Sequence, residues 1–398
     1  MKIYLTIILM IVLLVISFSV LAGSFEEEIL KKLFIFQKSQ LRYLFSKSFL
    51  QQVSFEEIVS VIDQYSKKLG DLESIEKNEG GYLLIFEKGS APARIEINDS
   101  NMISGLWFGN YSLVSDSLSG IVEEFRDLSG DVSISVIKNN SEKIIAYNDR
   151  QKMAVGSAFK LHILKTLYQK IDNSDKKWHD IIVLSEENRS LPSGIIQSWP
   201  QKTPVTLKTL SILMISQSDN TAADHLLDYL GRKMVETGLS EKNIPFLKTR
   251  ELFALKFSSN REMSDQYLNS SVEEKRKILE EISFAGLKNV KIGDKPILID
   301  KLEWFFSTEE LARMIFELKD TEEIKINSGL VQKKNYYLAG YKGGSESGVL
   351  NFTNILQKTV ESDIYAVSVT VNNKNRNINN EKVSQLVSRL IDSVIQNK

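Results

Sequence analysis

A serine and a lysine three residues apart, Ser157 and Lys160, open an apolar segment whose spacing predicts a helix. A serine hydroxyl is a weak nucleophile and needs a base within hydrogen-bonding reach. Residues three apart on a helix share one face, so Lys160 can reach Ser157 Oγ. A lysine acts as a base only when burial or nearby positive charge lowers its pKa. The pair therefore predicts nucleophilic catalysis by Ser157 with Lys160 as the general base.

A second polar segment, Ser218-Asp219-Asn220, lies between two apolar runs with helical periodicity. The hydroxyl of Ser218 could relay a proton to a leaving group, and the amide of Asn220 could hold a substrate carbonyl. Asp219 is expected to cap a helix or tie the turn together.

A third segment, Lys342-Gly343-Gly344-Ser345, lies on a predicted strand near the C-terminus. Lys342 could supply the positive charge that a basic lysine needs. Gly343 and Gly344 leave room for a substrate along the strand edge. The N–H of Ser345 could then stabilise an oxyanion, together with the N–H groups at the start of the Ser157 helix.

Each segment alone has an ordinary structural explanation. Ser-x-x-Lys is also a helix N-cap followed by a surface lysine, Ser-Asp-Asn is a common turn, and Lys-Gly-Gly can end a hairpin. The occurrence of all three, in this order and in these settings, favours a catalytic site.

The composition excludes several other classes of protein. The chain has 398 residues, with 50 Lys and Arg against 51 Asp and Glu, whereas nucleic-acid binders usually carry a basic excess. It contains no cysteine, which excludes thiol catalysis, disulfides and Cys-ligated zinc. The only histidines, His162, His179 and His225, are too few and too scattered for a metal site. We expect no metal and no cofactor.

The N-terminus predicts export. Lys2 precedes an apolar run over residues 3–22, and Val20-Leu21-Ala22 provides small residues where a signal peptidase would cleave. The run is also long enough to span a membrane as an uncleaved anchor. Residues 1–22 are therefore either a signal peptide or a membrane anchor, and the remainder is expected to be periplasmic or extracellular.

The pattern of elements predicts two α+β domains. Residues 23–118 show helical patterning followed by alternating runs typical of antiparallel strands. Residues 119–398 show strand patterns at both ends with helical segments between them. This order predicts one antiparallel sheet, completed by pairing between distant segments and flanked by helices.

The three motifs together resemble those of the class A β-lactamases and penicillin-binding proteins, over residues 119–398. The resemblance implies a β-lactamase/transpeptidase-like domain and an acyl-enzyme on Ser157. It implies a small-molecule or peptidoglycan-like acyl substrate, such as a β-lactam, an ester or a peptide-like compound. The two-part layout resembles serine hydrolases related to a clavulanate-cluster esterase and mycobacterial lipoproteins. In those proteins an NTF2/ketosteroid-isomerase-like domain comes first, which we expect for residues 23–118.

The chain departs from that family's pattern at the motif used for deacylation. It lacks the Glu-x-x-Leu-Asn string that carries the deacylating glutamate of class A enzymes, so we expect slow β-lactam turnover. Glu251 lies in the corresponding part of the chain, but in a helical segment, and can be read as a deacylating base or as an exposed helical carboxylate. Arg376 is the candidate for binding a substrate carboxylate near the last strand.

Three other functions compete with this interpretation. A Ser-His-Asp hydrolase would need a Gly-x-Ser-x-Gly elbow and a late histidine, but every histidine precedes residue 226. A steroid-isomerase-like activity of the first domain lacks a paired acid and base. A non-catalytic cell-envelope binding protein with the penicillin-binding fold remains the alternative, although retention of all three motifs argues against it.

Overall fold

The computed structural model describes residues 24–78, 80–257, 261–282, 287 and 292–396. The described residues up to Leu118 form one compact unit, and those from Ser119 onward form another. The predicted signal peptide or anchor lies outside the described residues. Within the described ranges, no helix combines the length and apolar character needed to cross a bilayer.

The first unit consists of helices followed by an antiparallel sheet. Ser24 and Ser54 each begin a helix through a capping box with a glutamate three residues later. The helices are Phe25–Ile35, Lys38–Leu41, Lys47–Gln52 and Phe55–Leu69. The strands are β1 (Leu72–Asn78), β2 (Gly81–Phe86), β3 (Gly89–Ile97), β4 (Ile103–Phe108) and β5 (Ser112–Leu113).

The sheet of this unit has the order β1-β2-β3-β4, with β5 paired to β3. The predicted antiparallel strands are present and include β2 and β3, which form a hairpin. Strand β1 was not predicted, because most of its side chains are exposed and polar and so show no apolar alternation.

The second unit contains ten strands within the described residues. They are β6 (Asp131–Lys138), β7 (Glu142–Tyr147), β8 (Met153–Ala154), β9 (Ile181–Val183), β10 (Pro204–Thr206), β11 (Phe305–Phe306), β12 (Leu338–Tyr341), β13 (Gly344–Glu346), β14 (Val349–Gln357) and β15 (Ile364–Asn372). The main sheet has the order β12-β14-β15-β6-β7, with β13 also on β14. Strand β15 pairs antiparallel with β6, more than 200 residues earlier (Val367 opposite Val136). The predicted antiparallel sheet with pairing between distant segments is confirmed.

Helices fill the long middle of this unit and its C-terminus. Strands β14 and β15 are buried almost throughout, as expected for a sheet that helices cover. The last helix is Asn380–Ile395. The helices are Leu118–Arg126, Lys160–Asp172, Leu207–Ser216, Asn220–Leu230, Arg232–Glu236, Thr249–Phe257, Arg261–Asn269, Val272–Glu280, Thr308–Glu317, Glu322–Ile326 and Asn380–Ile395.

One prediction about the sheet is wrong. Lys342 and Gly343 do not lie within a strand but between β12 and β13, two short strands at the edge of the sheet. Both strands keep one register on β14, so the edge is interrupted rather than shifted. The backbone at Gly343 passes so close to Tyr341 that a Cβ there would lie 1.9 Å from the phenolic oxygen.

Candidate active site

Ser157 lies in a single 3₁₀ turn, Gly156–Phe159, that leads directly into the helix Lys160–Asp172. Gly156 adopts φ +49°, a conformation that L side chains rarely adopt, and it turns the chain into the 3₁₀ segment. Phe159 anchors the turn by stacking on Trp304, with ring centroids 3.8 Å apart. The Ser157 side chain is partly exposed, whereas its neighbours in the turn are buried.

Lys160 is fully buried, and its amine lies 3.3 Å from Ser157 Oγ. Burial, together with the positive charge of Lys342, holds the pKa of Lys160 well below its usual range. Nζ also lies 2.6 Å from both the backbone oxygen of Ser218 and Oδ1 of Asn220. Those oxygens can only accept, so they occupy the two N–H groups of a neutral amine. The lone pair is then left for the hydroxyl proton of Ser157, which is the arrangement that a general base requires.

Ser218 presents both its carbonyl and its hydroxyl to this lysine. It adopts φ +53°, which a non-glycine residue rarely does. Its Oγ lies 3.2 Å from Lys160 Nζ and 3.1 Å from Lys342 Nζ. The Ser218 hydroxyl therefore connects the two amines and is placed to pass a proton between the base and a bound group.

Asp219 holds this turn in place. One carboxylate oxygen accepts from the backbone N–H of Ala222 (2.9 Å), which caps the helix Asn220–Leu230. The other accepts from the N–H groups of Ile195 and Ile196, at 2.7 and 3.0 Å. The predicted capping role of Asp219 is confirmed, and the contacts to Ile195 and Ile196 tie a separate loop to the site.

Asn220 contacts the amine of Lys160 and also lines the open cavity. Its Oδ1 accepts from Lys160, and its Nδ2 donates to the carbonyl of Leu191 at 2.7 Å. We expected the amide to hold a substrate carbonyl. The structure instead uses its oxygen to orient Lys160, and only the second N–H of Nδ2 is left for such a role.

Lys342 is the second buried amine of the site. It donates to Ser218 Oγ and to the carbonyl of Gly343, at 3.1 and 2.5 Å. Burial lowers its pKa to about 7. Its charge therefore changes near neutral pH, and that charge adds to the effect of burial in lowering the pKa of Lys160.

Gly344 and Ser345 form the wall opposite Ser157. A Cβ on Gly344 would lie 2.4 Å from Ser157 N, so only glycine permits this approach. Lys342 N donates to Thr353 O on β14, and Gly344 continues that register. Because hydrogen-bonded pairs alternate along antiparallel strands, the N–H of Ser345 points away from β14, towards the outer edge. It is placed to complete an oxyanion site with the N–H of Ser157.

These groups open onto a cavity of about 270 Å³. Ser157, Asn220 and Ser345 lie on its polar side. Aromatic side chains form much of the remaining wall, and among the described residues the charged side chains that reach it are Lys295 and Glu346. The lining residues are Ser157, Pro192, Ser193, Asn220, Phe253, Phe257, Ile292, Lys295, Ile297, Trp304, Ser345, Glu346 and Ser347.

Comparison with known proteins agrees with this geometry. Residues 114–289 match the model of the family described as "Beta-lactamase enzyme family". The second unit has an α+β fold of the β-lactamase/transpeptidase-like kind. The matched segment includes Ser157, Lys160 and the Ser218 turn, and it ends before Lys342. No curated protein sequence matched the chain.

Solved structures similar to the chain include several β-lactamases and PBP-A. The β-lactamase of Sphaerobacter thermophilus DSM 20745 is 18% identical with a TM-score of 0.49, and the match covers 70% of this chain and 96% of that one. The β-lactamase of Desulfarculus baarsii DSM 2075 is 15% identical with a TM-score of 0.47, covering 70% and 95%. PBP-A is 14% identical with a TM-score of 0.46, covering 72% and 97%.

Two of the candidate residues lie elsewhere in the β-lactamase-like unit. Glu251 is buried and paired with Arg232, whose guanidinium donates to Oε1 and Oε2 at 2.6 and 3.0 Å. It is therefore neither an exposed helical carboxylate nor part of the Ser157 cavity, because this ion pair faces a separate polar groove. Arg376 is exposed after β15, and its side chain does not line the cavity.

Sequence reasoning missed a cluster of three charged side chains beside the cavity of the β-lactamase-like unit, Lys256, Glu303 and Glu346. The Lys256 amine lies 2.7 Å from Glu303 Oε1 and also hydrogen-bonds Glu346. The one available signal was that Glu346 directly follows the Lys342-Gly343-Gly344-Ser345 segment. Among the described residues, no group of three or more His, Cys, Asp or Glu side chains is arranged to hold a metal ion.

Proposed function

We propose that this chain is an exported serine hydrolase that forms an acyl-enzyme on Ser157, with Lys160 as the general base. The observation that carries the proposal is the position of the buried Lys160 amine. It lies 3.3 Å from Ser157 Oγ, while two carbonyl-type oxygens at 2.6 Å occupy its N–H groups. The β-lactamase family match over residues 114–289 supports the same reaction class.

The acylation step follows from these contacts. Ser157 Oγ attacks the substrate carbonyl and gives its proton to the neutral Lys160 amine. The developing oxyanion accepts hydrogen bonds from the N–H groups of Ser157 and Ser345. The proton on Lys160 then passes through Ser218, which lies 3.2 Å away, to the leaving group as its bond to the carbonyl carbon breaks. Water later releases the acyl group and restores the Ser157 hydroxyl.

The substrate class we propose is a β-lactam, an ester or a peptidoglycan-like acyl compound. The cavity of about 270 Å³ suits a small acyl group rather than a folded protein segment. Aromatic side chains, including Phe253, Phe257 and Trp304, give it an apolar wall against which such a group can pack.

Export and the nature of the first unit belong to the same proposal. The apolar run over residues 3–22 and the small residues at its end support a signal peptide or membrane anchor and a periplasmic or extracellular location. The order of helices followed by an antiparallel sheet supports an NTF2-like first unit, with a structural or substrate-positioning role. Cell fractionation and the N-terminal mass of the secreted protein test the first point.

The central test is the mass of the intact protein after incubation with benzylpenicillin, a cephalosporin and p-nitrophenyl acetate. We expect an adduct that is lost in Ser157→Ala and kept in Ser193→Ala, since Ser193 lines the same cavity without contacting Lys160. If folded wild-type protein formed no adduct with any probe, the hydrolase proposal would be wrong. The non-catalytic cell-envelope binding protein would then be favoured.

A further inference from the structure

A buried cluster of one amine and two carboxyl groups borders the Ser157 cavity. The side chains of Lys256 and Glu303 are fully buried, and that of Glu346 is 16% exposed. Lys256 bridges the two glutamates, and Glu303 Oε2 also accepts from the backbone N–H of Trp304 at 3.1 Å. Only Glu346 of the three lines the cavity that Ser157 lines. The cluster therefore fixes one carboxyl group at the wall of the site.

The geometry of β13 places the side chain of Glu346 on the face of the strand that meets the Ser157 turn. Side chains alternate along a strand, so residues 344 and 346 project from the same face of β13. A Cβ at Gly344 would point at the Ser157 turn, 2.4 Å from Ser157 N and 2.2 Å from Val155 O. Glu346, two residues further, therefore projects from the face of β13 that meets the nucleophile.

Resting on the proposed acyl-enzyme, we propose that Glu346 is the general base that activates water for deacylation. Lys256 and Glu303 act as positioning residues that hold its carboxyl group. Glu346 would thus fill the role that the missing Glu-x-x-Leu-Asn glutamate plays in class A enzymes. The candidate that the sequence suggested, Glu251, is bound to Arg232 outside the cavity.

The step balances without any further reactant. The Glu346 carboxylate takes a proton from water as the water oxygen bonds to the acyl carbon of the Ser157 ester. The bond between that carbon and Ser157 Oγ then breaks, and the proton held by Glu346 is returned to Oγ. The products are the free acid and the starting enzyme, with both side chains unchanged.

The charges around Glu346 make this step depend on pH. Burial and the neighbouring Glu303 carboxylate raise the pKa of Glu346 well above its ordinary value, although Lys256 opposes them. Among the described residues, Lys295 is the other charged side chain on the cavity wall. Because only the carboxylate accepts a proton, deacylation should accelerate as the pH rises through this raised pKa.

The proposal can be tested by measuring two rates separately between pH 5 and 9, the rate of acylation and the rate at which the adduct decays. Both are followed by intact mass with benzylpenicillin and p-nitrophenyl acetate. We expect Glu346→Gln to form the adduct but lose it about 10²-fold more slowly than wild type, without the pH dependence. Glu303→Gln removes a negative charge beside Glu346, so the pKa of Glu346 should fall. The rise of the decay rate with pH should then occur at lower pH in this variant than in wild type. Glu251→Gln is the matched control and should decay as wild type does, and thermal unfolding of each variant shows that it is folded.

The outcomes separate the two proposals. If neither wild type nor any variant forms an adduct, the proposal of an acyl-enzyme on Ser157 is wrong, and this inference is overturned with it. An adduct that decays equally fast in wild type and Glu346→Gln leaves the hydrolase proposal standing and overturns the role of Glu346. A wild-type adduct that persists across the whole pH range also overturns it.

Discussion

The side-chain amines of Lys160 and Lys342 approach the same atom, Ser218 Oγ, at 3.2 and 3.1 Å. Both amines are buried. If both were protonated, two positive charges would lie within a few ångströms of each other without water to solvate them. Burial, and then the charge of Lys342, accordingly lower the pKa of Lys160. One proton shared through Ser218 satisfies the geometry and keeps Lys160 available as a base.

The first prediction concerns Lys160. Replacing Lys160 with alanine removes the proton acceptor from Ser157 and should reduce the acylation rate by roughly 10²–10⁴-fold. The adduct formed with p-nitrophenyl acetate, followed by intact mass, measures the effect. Lys165→Ala is the matched control, since Lys165 lies on the same helix but pairs with Glu317 away from the site. Equal acylation rates in Lys160→Ala and wild type would remove lysine from the mechanism.

The second prediction concerns the pH dependence of acylation. Since only neutral Lys160 accepts the Ser157 proton, acylation should rise as the pH passes the pKa of Lys160. Lys342→Ala removes the nearby positive charge, so this pKa should increase and the rise should move to higher pH. The shift should be largest below pH 7, where Lys342 carries its charge, because its own pKa is about 7.

The acylation rate measured from pH 5 to 10 in wild type and Lys342→Ala shows the shift. Lys358→Ala, which removes an exposed lysine just after β14, should leave the profile where it is. A Lys342→Ala profile that kept its midpoint while losing only amplitude would show that Lys342 does not set the proton affinity of Lys160.

The third prediction concerns stability. Burial lowers the pKa of Lys342 from 10.5 to about 7 in the folded chain. Between these two pH values the unfolded chain binds this proton more readily, so this lysine contributes more stability as the pH rises from 7 to 10.5. Lys342→Met lacks the group. The free energy of unfolding of the variant minus that of wild type should therefore fall across this range.

Urea denaturation of both proteins at several pH values between 6 and 10 gives this difference directly. Lost hydrogen bonds to Ser218 and Gly343 would offset the two curves by a constant, so the slope with pH is the informative quantity. Parallel curves would mean that Lys342 keeps an ordinary pKa in the folded protein.

Local sequence patterns predicted much of the fold and of the placement of the site residues. Apolar periodicity located the helices on either side of Ser218, and Asp219 caps the second of them as its residue type suggested. Alternation located β6, β14 and β15. It could not show that Lys342-Gly343 interrupts the edge of the sheet between β12 and β13, because the close approach of Tyr341 to Gly343 exists only in the folded chain.

The cluster beside the cavity was beyond the reach of such patterns. Lys256 and Glu303 are 47 residues apart, and Lys256 and Glu346 are 90 apart. Each lies in a segment where charged residues are common, and only the folded chain shows that they are buried together. The sequence position of Glu251 was misleading for the opposite reason, because its ion pair with Arg232 depends on how two helices meet.

The last prediction concerns the contact between Gly344 and the nucleophile. A methyl group on Gly344 would lie 2.2 Å from Val155 O, 2.4 Å from Ser157 N and 2.7 Å from Ala158 N. All three atoms belong to the backbone, so β13 and the Ser157 turn would have to move apart. Gly344→Ala should therefore lower the free energy of unfolding by about 1–3 kcal/mol.

The same movement would separate the N–H of Ser345 from that of Ser157, and loss of one oxyanion donor typically slows acylation by roughly 10²–10³-fold. Intact mass and urea denaturation measure the two effects on one sample. Gly293→Ala is the matched control, since a Cβ at Gly293 meets nothing within 4 Å. If Gly344→Ala lost stability yet acylated at the wild-type rate, the Ser345 N–H would have no part in stabilising the oxyanion.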